Sequence, residues 1–250
     1  MKRFLNNFLL FIQFFTRIPI NKNLQCENKN FREGAIFFPV IGLIIGIIQF
    51  CIASIFSKWI PINITAVLVV LSSVIITGAL HLDGLGDLCD GFYAFKGGKD
   101  KIIEIMKDST IGTFAGAAIV FDILLKYTII ENLISYRTFN FIIIIPVISR
   151  FTIVLLAYIG KNAKETGTGN IFIGNIDGKT LIKTLAITVI LSFAFIGLIR
   201  TFIVIILSAF LTILFNKYCE FKIQGLTGDL LGANNEIIEI FVGIMLVVLL

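Results

Sequence analysis

Residues 77–92 read TGALHLDGLGDLCDGF, and the aspartates in this run, Asp83, Asp87 and Asp90, recur at i, i+4 and i+7. At about 100° per helical residue, that spacing gathers three carboxylates into a narrow arc of one face. Like charges so placed repel unless something positive lies between them. Hard cations such as Mg²⁺ take oxygen ligands, retain some water, and bridge a few carboxylates to substrate phosphates. The chemistry such a face could do is therefore metal-assisted reaction at a phosphate. Gly84, Gly86 and Gly91 remove side-chain bulk beside the acids and would let a large anionic ligand approach the backbone. The plainer reading is a solvated polar turn after a helix. Helical phase, interleaved glycines and the scarcity of acids elsewhere favour metal binding. An EF-hand is excluded, because its alternate-residue spacing and terminal Glu are missing.

Two further polar segments extend the theme. In KIIEIMKDSTIGTFAG, residues 101–116, Glu104 and Asp108 are again i, i+4, Ser109 follows, and Lys107 offers a cation for a phosphate. The same stretch also reads as an amphipathic surface helix. In QGLTGDLLGANNEIIE, residues 224–239, Asp229, Asn234, Asn235, Glu236 and Glu239 precede an apolar run, where Asn235 could equally cap a helix. His81, the single histidine, is open to an acid/base or a structural role. Asp122 and Lys126 lie i, i+4 inside one apolar stretch and Arg150 lies in the middle of the next. Antiparallel packing predicts an Asp122–Arg150 ion pair with Lys126 one turn further out, serving function or helix packing.

The elements that must position these groups follow from composition. The chain is 57% hydrophobic and 15% charged, with a mean hydropathy of +0.98. Soluble domains are roughly 45–50% apolar and about 25% charged, so a soluble enzyme, a disordered chain and a disulfide-stapled domain are excluded. The expected fold is all-α, a polytopic integral membrane bundle of about seven transmembrane helices. The spans fall near 35–57, 62–82, 113–131, 139–159, 181–198, 201–216 and 237–250. One domain, 1–250, is expected, with residues 1–19 as an amphipathic interfacial helix rather than a signal peptide. Most of the 21 Lys and Arg fall in the N-terminal arm and in long loops at about 83–112, 160–180 and 217–236. The positive-inside rule then puts the N-terminus and these loops in the cytoplasm. Topology thus accounts for the net charge of +5 without nucleic acid. Cys26, Cys51, Cys89 and Cys219 show no metal or disulfide spacing.

At these residues the sequence resembles the adenosylcobinamide-GDP ribazoletransferase (cobalamin synthase) family. The likeness runs through FFTRIP (14–19), FPVIG (38–42), GALHLDGLGDLCDG (78–91), EIMKDSTIGTFA (104–115), the SR pair at 149–150 and TGDLLGANNE (227–236). Thr110 stands where such sequences usually carry Arg, and Gly86 and Cys89 replace commoner small residues. The resemblance implies a Mg²⁺-dependent phosphotransfer at the lipid bilayer, in the prokaryotic inner membrane with the site facing the cytoplasm. Adenosylcobinamide-GDP and α-ribazole, or its 5′-phosphate, would give adenosylcobalamin, or its 5′-phosphate, and GMP. Asp83, Asp87 and Asp90 would hold the metal. Asp83, Asp87, Asp108, Asp229 and His81 would form the catalytic set, with Lys107, Ser109, Gly84 and Gly91 against the phosphates. The glycine-bearing segment 164–174 would be a substrate-side loop, and a homo-oligomer is left open. Two other readings remain. A CDP-alcohol phosphotransferase also clusters aspartates at a membrane surface, but its D-G-x-x-A-R pattern is not met after Gly84. A transporter would place its polar groups and broken helices at the midplane.

Overall fold

The computed structural model describes residues 2–94 and 97–250. Among the described residues regular structure is helical, apart from one isolated parallel bridge between Asn162 and Leu226. In chain order the helices are α1 (Lys2–Phe15), α2 (Asn28–Gly34), α3 (Phe38–Phe56), α4 (Ile62–Thr77), α5 (Leu80–Tyr93) and α6 (Lys99–Ile105). They continue as α7 (Thr113–Ser135), α8 (Phe139–Ile159), α9 (Gly178–Ile196), α10 (Leu198–Ile223) and α11 (Gly228–Val248). Six helical stretches are long and apolar enough to cross a bilayer, and seven if the bent pair α4–α5 is one broken span. The expected all-helical polytopic bundle is what the chain forms.

α8 is its axis. Every residue from Phe141 to Val154 is buried, as a helix apolar on all sides must be when other helices surround it. Its closest neighbour is α3, whose Gly42 and Gly46 sit one turn apart against the α8 backbone. A Cβ on Gly42 would stand 2.2 Å from the Pro146 carbonyl oxygen, and one on Gly46 2.4 Å from that of Ile143. Small residues four apart let two helix backbones meet, which is how helices pack where lipid removes the hydrophobic driving force. Large side chains such as Phe121, Ile190, Ile206 and Phe210 point outward instead, as a lipid-facing perimeter requires.

Three boundaries differ from the sequence-based expectation. The interfacial helix set at 1–19 ends at Phe15, where Thr16 turns its hydroxyl back onto the Ile12 carbonyl. The 83–112 loop contains α5 and α6, with residues 95–96 outside the described residues. The 217–236 loop is the largest correction, because α10 runs on to Ile223 and α11 begins at Gly228. Thr227, not Asn235, caps α11, its hydroxyl accepting from the Leu230 N–H at 3.4 Å. Polar residues within 229–239 made this stretch read as a loop, yet they lie inside the helix and turn toward the bundle interior.

α4 and α5 meet at 90°. Gly78 and Ala79 both adopt left-handed backbone, at φ 62° and 59°, which ends α4 and restarts the chain as α5 across one end of the bundle. Gly46→Leu is expected to force α3 off α8, at a cost of about 1–3 kcal/mol, typical of overpacking. A thermal unfolding midpoint in detergent that matched the unaltered protein would contradict this packing.

Candidate active site

The bend at Gly78–Ala79 starts α5 beside the first turn of α11. Gly84 makes the approach possible, since a Cβ there would lie 2.4 Å from the Asp229 carbonyl oxygen. Gly232 does the same from the other side, with its Cβ position 3.1 Å from the Cα of His81. Asp83 and Asp229, each in the first turn of its helix, consequently line one cavity of about 120 Å³. Both sit where the partial positive charge of a helix N-terminus favours a carboxylate. The loop after α8 closes the cavity. Ala163 and Leu226 are joined by an N–H···O bond of 2.9 Å, and Gly169 lies against the backbone of Gly228. Thr168 and Phe172 of that loop thereby reach the cavity, so the segment 164–174 does lie beside the acids.

The three aspartates of α5 do not behave alike. Asp83 is exposed, Asp87 is half-buried and Asp90 is buried. Burial, with the charges of Asp83, Asp229 and Asp90, pushes the Asp87 carboxyl up to about 7, and Lys164 opposes the rise. Asp90 turns to α7. Its Oδ2 accepts from the Gly112 N–H at 2.6 Å and its Oδ1 from the Ala115 N–H at 3.0 Å, so it ties down the α7 N-terminus. Among the described residues, no three His, Cys, Asp or Glu side chains converge as a ready-made metal cage.

His81 lies beneath the cavity, stacked on Phe15 with ring centroids 6.4 Å apart. Burial, aided by Arg150, lowers its imidazole to about 3, which leaves it neutral and a weak base near pH 7. Asp108 is apart from the cavity. It is fully exposed, and its Oδ1 accepts from the Thr110 N–H at 3.0 Å and hydroxyl at 2.7 Å. Those two hydrogen bonds hold its carboxyl below the usual range. With Lys107, Glu104 and Lys164 it lines a separate open groove of about 590 Å³, and Lys164 is the side chain shared between that groove and the surroundings of Asp87. Ser109 is exposed on the same linker. The glycines assigned to an approaching ligand have another use, because the space beside Gly91 holds Met106 and that beside Gly84 holds Asp229. Lys164 and the phenyl rings of the cavity were not singled out. Their signal was the run of Phe in FFTRIP and FPVIG beside a glycine-rich loop.

Below this end lies a buried ion cluster. Lys126 pairs with Asp122 at 3.2 Å, Glu239 at 3.0 Å and Glu236, while Arg150 pairs with Glu239. The expected direct Asp122–Arg150 pair does not form. The two are linked through Lys126 and Glu239, because α11 is helical through these acids and inserts them between α7 and α8.

Fold and site define a polytopic, membrane-type helical protein with an acid-lined cavity where α5 meets α11. The chain matches the family model of cobalamin-5-phosphate synthase over residues 7–248 and belongs to that family, whose members are transferases. It is 50% identical over 252 residues to adenosylcobinamide-GDP ribazoletransferase of Clostridium tetani, covering 99% of this chain and 98% of the relative. The Clostridium kluyveri protein of the same name is 50% identical over 253 residues, covering 100% and 99%. No solved structure matches the chain.

Two outcomes are expected. The folded protein holds a proton on Asp87 that an unfolded chain, near the ordinary value of 3.8, has already released. Stability from this group is therefore lost as pH rises from about 4 to 7, and the loss levels off above that. In metal-free buffer Asp87→Asn should raise the unfolding midpoint at pH 8 and change it little at pH 4. An equal gain at both values would contradict the crowding. Separately, Lys126→Met should cost about 3–5 kcal/mol by stranding buried carboxylates, with adding Glu239→Gln recovering part. Strict additivity of the two changes would remove Lys126 from the cluster.

Proposed function

We propose that this protein transfers a corrinoid phosphoryl group from adenosylcobinamide-GDP to α-ribazole or its 5′-phosphate, releasing GMP. The observation that carries the reading is the convergence of Asp83, Asp87 and Asp229 at one end of a bundle of this family, with Lys164 beside Asp87. A ribose hydroxyl of α-ribazole attacks the phosphorus attached to the corrinoid's aminopropanol arm. A new P–O bond to the ribose forms, the P–O bond of the anhydride breaks, and GMP leaves with its own phosphate. The hydroxyl proton passes to a carboxylate, for which Asp229, beside Asp83 in the cavity, is placed better than the exposed Asp108.

Mg²⁺ fits these residues. The donors are hard carboxylate oxygens, and the raised Asp87 carboxyl marks negative charge that lacks enough cation beside it. A full protein cage is not needed for an ion that binds through one or two carboxylates and substrate phosphates. Asp83 and Asp87 are the first candidates to hold it. Asp90, with both oxygens on the α7 N-terminus, supports them from behind. A bound Mg²⁺ supplies charge neutralisation at the pyrophosphate. Lys164 and Lys107 would steady phosphate charge along the adjoining groove. Neutral His81 positions the floor of the cavity rather than moving protons. The excess of Lys and Arg at this end of the chain supports a cytoplasm-facing site in the inner membrane.

Protein purified in detergent and given adenosylcobinamide-GDP, α-ribazole and Mg²⁺ should release GMP and yield a corrinoid with a closed nucleotide loop. Asp83→Asn should lower the rate by roughly a hundredfold or more with the fold intact, as loss of a charge-stabilising group does. Folded protein that releases no GMP would overturn the activity, and a near-normal Asp83→Asn rate would remove that carboxylate from the site.

A further inference from the structure

The walls of the Asp83–Asp229 cavity are of a different character from its rim. Phe14, Phe15, Phe38 and Phe172 stand around it, with Ile153 and Leu231 completing an apolar lining. The rings brace one another. Phe15 lies 4.7 Å from Phe38 with the planes tilted, Phe38 meets Phe172 edge-on at 5.6 Å, and Phe14 meets Phe15 edge-on at 4.9 Å. They come from α1, the start of α3 and the loop after α8, so three separate segments build one aromatic recess beside the carboxylates. Side-chain donors within it are few, the Thr168 hydroxyl and an imidazole N–H of His81.

A phosphate would find no cation in this recess, and a corrinoid is far too large for about 120 Å³. Guanine presents acceptors as well as donors on its edge, and phenyl walls would leave those acceptors unpaired at a cost. The benzimidazole base of α-ribazole is flat and apolar. Once glycosylated it keeps a single ring nitrogen as acceptor, which one N–H or O–H satisfies. With the base among the rings, its ribose hydroxyls come to the rim, where Asp83 and Asp229 accept hydrogen bonds. We infer that this aromatic recess is the subsite for the nucleophile's base, and that Phe14, Phe15, Phe38 and Phe172 select a flat apolar base over guanine. The inference rests on the proposed ribazole transfer and adds to it which substrate each half of the site receives: nucleoside in the recess, pyrophosphate toward Asp87 and Lys164.

Phe14 offers the cleanest test, because it is 42% exposed and its loss leaves the core closed. In full-length protein assayed by GMP release, Phe14→Ala should raise KM for α-ribazole about tenfold, the scale of one lost aromatic stacking contact. KM for adenosylcobinamide-GDP should stay within about twofold, and Phe14→Trp should restore tight use of α-ribazole. A rise in KM for adenosylcobinamide-GDP instead, or an unchanged KM for α-ribazole, would overturn the assignment while leaving the transfer reaction standing. No GMP release from the unaltered protein would remove the transfer reaction and this subsite with it.

Discussion

The contact between the first turns of α5 and α11 is the constraint on which the site depends. A glycine at 84 lets the Asp229 backbone occupy the place a side chain would take, and Gly232 admits the start of α5 in return. The contact in turn needs the right-angle break at Gly78 and Ala79, since a straight continuation of α4 would carry Asp83 and Asp87 away from α11. Arg17 helps close that corner, donating its N–H to the Ile76 carbonyl at 2.6 Å. The FFTRIP segment therefore contributes both to the corner and, through Phe14 and Phe15, to the wall of the cavity.

The ion cluster beneath the site is the second organising element. Asp122, Lys126, Arg150, Glu236 and Glu239 come from three helices, and in an apolar bundle none could be buried alone. Pairing fixes the rotation of α7 and α11 about α8. Asn235 adds bonds to Glu236 at 3.0 Å and Glu239 at 3.3 Å. With α11 so oriented, Asp229 two turns earlier points into the cavity rather than at lipid. Arg150 also acts electrostatically on His81, so cluster and site share one helix end and one charge environment.

Much of this was legible in the chain. Apolar runs of about twenty residues disclosed the spans, and the i, i+4, i+7 aspartates marked the functional end. The 217–236 region was misread because acids and amides among apolar residues look like a loop when burial is unknown. Their partners, Lys126 and Arg150, lie 110 and 89 residues away from Glu236 and Glu239. Asp90 was read with Asp83 and Asp87 because helical phase is blind to what stands opposite each residue, here the bare N–H groups of α7. Gly84 and Gly91 were read as room for a ligand, and helices filled that room.

The sequence by itself determined a helical membrane-type bundle and the family to which it belongs, together with the acidic segment around which the site forms. Hydropathy and helical period are local properties, and local properties suffice for these. Only the tertiary structure decided which acids share a cavity and which hold a helix end, and it alone brought the phenyl rings together beside Asp83 and Asp229. Those outcomes depend on long-range backbone contact and on desolvation, and both arise only when distant segments pack.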